Sequence, residues 1–146
     1  MSLGLYKALN TLLLIGAGSI LALSVGLEPD PSGVGTHMQL GLNGCVILNE
    51  FDVPCPMCGM TTTFALMADL RWLAAIGNQP FGVVLFLLTA FLAIISAMEL
   101  IHPRSRWSAI HDRFNGIEIK LVTAFFGFMI AAWAYKIASM RIFLSA

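Results

Sequence analysis

The amino-acid sequence predicts an all-α membrane protein with three transmembrane helices and a short interfacial or re-entrant helix after a Cys-x-x-Cys loop. Three observations carry that expectation. The first is composition: of 146 residues, 58% are hydrophobic and only 11% are charged, and the mean hydropathy is +0.85. An ordinary soluble domain is about a quarter charged, and apolar surface exposed to water at this density aggregates. The second is a set of three apolar runs, each close to the ~20 residues that cross a hydrocarbon core. The third is a Gly- and Pro-rich segment between the first two runs, which holds every cysteine in the chain. The length suits a single integral membrane domain over 1–146.

The first span is expected over about 5–27, apolar from Leu12 to Leu23 and closed by Glu28-Pro29-Asp30-Pro31. A signal peptide is its rival, with Ala22-Leu23-Ser24 as a cleavage site; the length of the run favours a retained span. The second span, about 81–101, is uncharged until Glu99 and stops at His102-Pro103. The third covers about 119–137, with Lys120 at one end and Trp133, Tyr135 and Lys136 near the other. Aromatic and long cationic side chains of this kind sit at headgroup level, stems buried and tips wet.

Residues 60–78 also read as helix, with Thr61 to Thr63 as caps and Gly77-Asn78 as a stop. Asp69 and Arg71 fall in its middle, on nearly opposite faces, and a charge at the bilayer centre costs about 2.5–3.5 kcal/mol. The segment is therefore placed at the interface or as a re-entrant helix rather than as a fourth span. Leu66, Met67, Leu70, Leu73 and Ala74 form its expected apolar stripe, with Trp72 and Ile76 away from it.

Loop charges give an orientation. Segment 27–80 carries Glu28, Asp30, Glu50, Asp52 and Asp69 against Arg71. Segment 102–120 carries Arg104, Arg106, Arg113 and Lys120 against Asp112 and Glu118. Lys and Arg favour the cytoplasm, so the N-terminus is expected inside a bacterial inner membrane and the cysteine loop, 28–59, outside. Lys136 and Arg141 on an outer C-terminus run against the rule. His102 and His111 with the neighbouring arginines form a basic inner face suited to anionic lipid, and Glu99 is expected near those arginines. Eight basic and eight acidic side chains balance to zero, which leaves no basic excess for nucleic acid. No span carries a charge pair at its centre, as an ion path requires.

The chemistry concentrates in the cysteine loop. His37, Cys45, Cys55 and Cys58 follow the spacing His-x7-Cys-x9-Cys-x2-Cys, a Cys3His set able to hold zinc or iron. Cys-Pro-x-Cys-Gly is similar to the knuckle of zinc ribbons and rubredoxins, though the order of ligands is not that of a standard finger. Met38, Met57 and Met60 add soft thioethers near the thiols. A redox reading uses Cys55 and Cys58, with Cys58 just before a helix whose positive end favours thiolate. The plain alternatives are a structural disulfide, packed thiols with Cys45 as a small apolar residue, and His37 capping a turn.

Gly35-Thr36-His37-Met38-Gln39-Leu40-Gly41-Leu42, the following Cys45, the core Pro54-Cys55-Pro56-Met57-Cys58-Gly59-Met60-Thr61-Thr62 and the turn Asn78-Gln79-Pro80 form one pattern. In these residues the chain resembles a family of small bacterial membrane proteins known as domain of unknown function 2752, except that Gln79 interrupts an Asn-Pro turn. The resemblance covers roughly 27–100; it implies a membrane location and a shared loop architecture, and brings no activity.

These readings converge on a non-enzymatic membrane protein whose extramembrane loop is clamped by its thiols. Its expected surroundings are the lipid bilayer and other membrane protein subunits, or a second copy of itself. A metal-binding protein and a membrane thiol–disulfide oxidoreductase are the alternatives.

Overall fold

A computed structural model describes residues 3–103 and 106–145; Arg104, counted above in the basic loop, lies outside the described residues. Among the described residues the chain is all helical. In order come α1 (Leu3–Gly26), a 3-10 turn (Thr36–Leu40), α2 (Val46–Phe51), α3 (Met60–Ala68), α4 (Trp72–Asn78), α5 (Pro80–Ile101), α6 (Arg106–Phe114) and α7 (Glu118–Ser145). Of these, α1, α5 and α7 are long and apolar enough to cross a membrane.

α1 and α5 form the main helix pair. On α1 the buried residues are Asn10, Ala17 and Ser24, a repeat of seven that keeps one seam facing its partner. The seam is small or polar because helices in lipid associate through close backbone approach and hydrogen bonds rather than through the hydrophobic effect. Larger residues such as Leu12, Ile15 and Val25 point outward, where lipid solvates them. α7 packs through aromatic contacts: the Phe81 ring lies 4.9 Å from Phe125 and 6.1 Å from Phe128.

At the end of the bundle that holds α6, a polar cluster ties three helices together. The Tyr6 hydroxyl donates to Glu99 at 2.6 Å, and the backbone N–H of Arg106 donates to the same carboxylate at 2.6 Å. Trp107 Nε1 donates to Asn10 Oδ1 at 2.9 Å. The Arg106 guanidinium donates to the carbonyls of Met98 (3.3 Å) and His102 (3.0 Å), and so satisfies the end of α5 where the helix dipole is negative. Glu99, expected near the arginines, is fully buried and ion-paired to Arg106 at 3.4 Å.

The opposite end carries a folded layer, residues 27–79, and here the sequence expectation needs correcting. The single helix expected over 60–78 is two helices. α3 ends in a Schellman turn: Arg71 N–H bonds to Leu66 O (2.9 Å) and Leu70 N–H to Met67 O (3.2 Å), with Leu70 in the left-handed region at φ +60°. Glycine usually fills that position, and a side chain there costs about 1–2 kcal/mol. The break turns α3 inward and α4 outward. Thr62 to Met67 are buried, whereas Leu70, Trp72, Leu73 and Ile76 are exposed. The apolar stripe expected across 66–74 is thereby divided: Leu66 and Met67 pack with Ala75 against Val83 and Phe86, and Leu70 and Leu73 face away.

Candidate metal centre

Two separate segments deliver the three sulfurs. Cys45 occupies the N-cap position of α2. Cys55 to Met60 form two consecutive tight turns, closed by Cys58 N–H to Cys55 O (2.9 Å) and Met60 N–H to Met57 O (3.1 Å). The second turn requires Gly59 at φ +83°, and a Cβ there would meet Gly33 O at 2.6 Å; only glycine fits. The turns fold the Cys55 N–H onto Cys58 Sγ at 3.1 Å and set the Cys58 thiol 3.2 Å from Cys55 Sγ. The sulfurs of Cys45, Cys55 and Cys58 all lie within 4.8 Å of one another. No disulfide joins them.

His37 lines the same cavity of about 450 Å³ as the three cysteines, together with Met38, Met57 and Met60. It is not brought into the sulfur cluster. Its Nε2 instead meets the Asn43 carbonyl at 3.1 Å.

The thiols differ electrostatically. Cys58 is buried, and desolvation, followed by its hydrogen bond with Cys55, pushes its pKa up to about 12. Cys45 is pushed down to about 7, first by the backbone N–H of Leu48 in the opening turn of α2. Desolvation opposes this shift, and the Cys58 and Cys55 side chains reinforce it. The sequence placed the thiolate-favouring position at Cys58; the structure places it at Cys45, because burial at Cys58 outweighs the end of α3.

Behind the turns stands a network that sequence reasoning did not find. Asn78 Nδ2 donates to Gly59 O and to Thr63 Oγ1, each at 3.0 Å. Asn78 Oδ1 accepts from Lys136 Nζ at 2.7 Å, and the same ammonium donates to Gly33 O at 3.2 Å. Trp133 Nε1 donates to Pro54 O at 2.7 Å and Tyr135 Oη to Gly77 O at 2.9 Å. Gln79 Nε2 donates to Pro56 O at 3.1 Å, while its buried Oε1 finds no partner among the described residues. Lys136 was expected at headgroup level with a wet tip, and it is only 3% exposed. The available signal was the conflict of Lys136 with the orientation expected from the other loop charges.

The motif residues on the far side of the loop are structural anchors. Thr36 and Thr62, both fully buried, meet through their hydroxyls at 2.8 Å, and Asp30 N–H donates to Thr36 Oγ1 at 2.9 Å. Gln39 exchanges two hydrogen bonds with the backbone of Glu28, at 3.1 and 2.7 Å. They close the loop onto the end of α1.

Three sulfurs from two segments can hold one metal ion. Zinc with sulfur ligands at about 2.3 Å sets them about 3.8 Å apart in a tetrahedron, and the three sulfurs, all within 4.8 Å of one another, lie near that spacing. A bound cation also reverses the cost of the Cys58 thiolate, since coordination deprotonates a thiol outright.

The fold and site define a small helical membrane protein with a three-cysteine cluster in the layer between its first two candidate spans. Residues 45–93, which include Cys45, Cys55, Cys58 and the first part of α5, match the model of the family described as protein of unknown function (DUF2752). The family resemblance drawn from the Pro-Cys-Pro-x-Cys-Gly-Met-Thr core is thus borne out on that stretch, with Gly35 to Leu42 outside the matched segment. Comparison with curated proteins gave no match, and neither did comparison with solved structures.

Proposed function

We propose that this chain is a metal-binding membrane protein in which Cys45, Cys55 and Cys58 clamp the extramembrane layer around one zinc or iron ion, with His37 or a water molecule as fourth ligand. The observation that carries this is the meeting of Cys45, from the N-cap of α2, with the Cys55–Cys58 turn. Packed thiols need no such convergence of three sulfurs lining an open cavity. The loop-clamping role expected from the sequence is kept, with metal in place of a disulfide.

The layer faces the outside of a bacterial inner membrane in this reading, with the N-terminus inside; the acidic bias of 27–80 and the basic bias of 102–120 support it. The exposed apolar side chains of Leu70, Trp72, Leu73 and Ile76 support a role as a subunit or accessory of a larger membrane assembly, since a water-exposed face of this kind is costly. The test is metal content per chain by mass spectrometry on protein purified without chelator or added metal. About one zinc or iron per chain, lost in the Cys55→Ser/Cys58→Ser variant, is expected. Unchanged metal in that variant, or none in the parent, sinks the reading.

One observation favours a thiol–disulfide oxidoreductase as a second reading: a thiol with its pKa near 7, Cys45, lies beside the Cys55–Cys58 pair. Its test is a glutathione redox titration with alkylation of the free thiols. If no disulfide forms among the three cysteines at an oxidising poise, it is excluded.

A further inference from the structure

We infer that Lys136 of α7 is the counter-charge of the thiolate–metal centre, a positioning residue through which the third span sets the charge the site can carry. This rests on the metal reading above.

Lys136 is a buried cation without an anion. Its ammonium donates to Asn78 Oδ1 at 2.7 Å and to Gly33 O at 3.2 Å, both neutral acceptors, and among the described residues no carboxylate forms an ion pair with it. An ammonium removed from water without a compensating negative charge is costly, and proteins keep buried charges paired. The head group also sits against the turn that carries the thiols. A Cβ on Gly59, the residue after Cys58, would lie 3.1 Å from Lys136 Nζ, and the ammonium is within Coulombic reach of Cys58.

The other side of Lys136 borders a cavity of about 510 Å³ that also contains Asp30 and Arg71. Asp30 there is held by the Ser32 backbone N–H and hydroxyl, at 2.8 and 2.6 Å, and forms no ion pair with the ammonium among the described residues. On the thiol side the charge count differs. Three thiolates around a divalent ion and a neutral fourth ligand leave one net negative charge. One ammonium behind the turn balances it, in a region of low dielectric where such a pair interacts strongly. The otherwise costly lysine and the otherwise anionic metal site thus complete each other.

The test uses the full-length protein in nanodiscs, with Zn²⁺ as probe and a chromophoric chelator as competitor. The variants are Lys136→Met, Lys136→Gln and Lys136→Arg. Partners outside the ligand shell typically change metal affinity by about 10–100-fold, and that loss is expected for the two neutral variants, with Arg restoring affinity. The metal-free stability of Lys136→Met is expected to be unchanged or higher, because an unpaired buried charge has been removed. A lysine that is merely a strut would show the reverse: a metal-free protein that is weakened, with zinc affinity falling only in proportion. Asn78→Asp gives a second check, since a carboxylate placed on the ammonium neutralises it in situ and should weaken zinc binding with Lys136 retained. Zinc affinity of the Met and Gln variants within about threefold of the parent overturns the inference. If the parent binds no zinc, the metal reading itself fails and the counter-charge role fails with it.

Discussion

Replacing Asn78 by alanine tests whether the third span is tied to the thiol turn through one side chain. Asn78 makes three hydrogen bonds: two neutral ones at 3.0 Å to Gly59 O and Thr63 Oγ1, and a charge-assisted one at 2.7 Å from Lys136. Neutral bonds contribute about 1 kcal/mol each and bonds to charged groups about 1.5–3, a gross loss of roughly 3.5–5 kcal/mol. Water can enter this half-buried position and recover part of that. Alanine is also the better helix former at the end of α4, by about 0.5 kcal/mol. A net loss of about 2–3 kcal/mol is expected. Reversible unfolding in mixed micelles measures it directly, read by the Trp133 environment, since Trp133 is bonded to Pro54 O. Repeating the substitution in a Lys136→Met background should reduce its cost by at least about 1 kcal/mol, because contacting residues are not additive. A loss below about 0.5 kcal/mol, or strict additivity with Lys136→Met, would refute the network as drawn.

Further outcomes follow from the same contacts. Tyr6→Phe removes the 2.6 Å bond to the buried Glu99 carboxylate and should cost about 1.5–3 kcal/mol; a null effect in the same unfolding assay would show that Glu99 is satisfied without it. Gly59→Ala puts a Cβ 2.6 Å from Gly33 O at φ +83°, so it should cost more than about 2 kcal/mol and lower metal content; a stable, metal-replete variant contradicts the tight turn. In metal-free protein, alkylation of Cys45 should be half-maximal near pH 7, its depressed pKa, while Cys58, pushed up to about 12, stays slow across the neutral range. The linkage signs are opposite. The depressed Cys45 contributes stability above the ordinary thiol pKa that is lost as pH falls through about 7. Cys58, raised, contributes stability below the ordinary value that is lost as pH climbs towards about 12. Equal alkylation rates at Cys45 and Cys58 near pH 7 contradict both assignments.

What could be read in advance divides along physical lines. α1, α5 and α7 were legible because a span is a property of composition over about 20 residues, and the long apolar runs fix it whatever they pack against. The break at Leu70 was not, because residues 69–71 hold neither glycine nor proline; the left-handed turn is imposed by the packing of α3 and α4 on opposite sides. The cysteines could be named as a group from their clustering, and the structure brings Cys45, Cys55 and Cys58 together. His37 shares their cavity without joining them, its Nε2 engaged by the Asn43 carbonyl. Lys136 was missed because a contact 58 residues away, as to Asn78, leaves no trace in local pattern.

The distribution of polar side chains shows why a metal suits this architecture. In the bundle, Asn10, Ser24 and Glu99 are buried, and with no water in lipid to bond them they find partners in the protein: Asn10 in Trp107, Glu99 in Tyr6 and Arg106, Ser24 in the Ile20 carbonyl of its own helix. That part of the chain is ordered by its solvent. The layer of residues 27–79 is built differently. Its buried apolar cluster is small, Leu66, Met67 and Ala75 with Val83 and Phe86 packed against it, while α2 buries nothing. A loop of this length has to offset about 1–2 kcal/mol of backbone entropy for each residue it orders, and so few apolar contacts cannot do that alone. Side-chain bonds to backbone carbonyls supply part of the difference, through Gln39, Asn78 and Trp133. They hold the carbonyls of Glu28, Pro54 and Gly59, and none of them reaches α2. Cys45, at the head of α2, meets the turn at Cys58 through the proximity of their sulfurs. A cross-link at that point ties α2 to the turn, and a metal ion bound by three thiolates is a cross-link whose binding energy becomes folding energy.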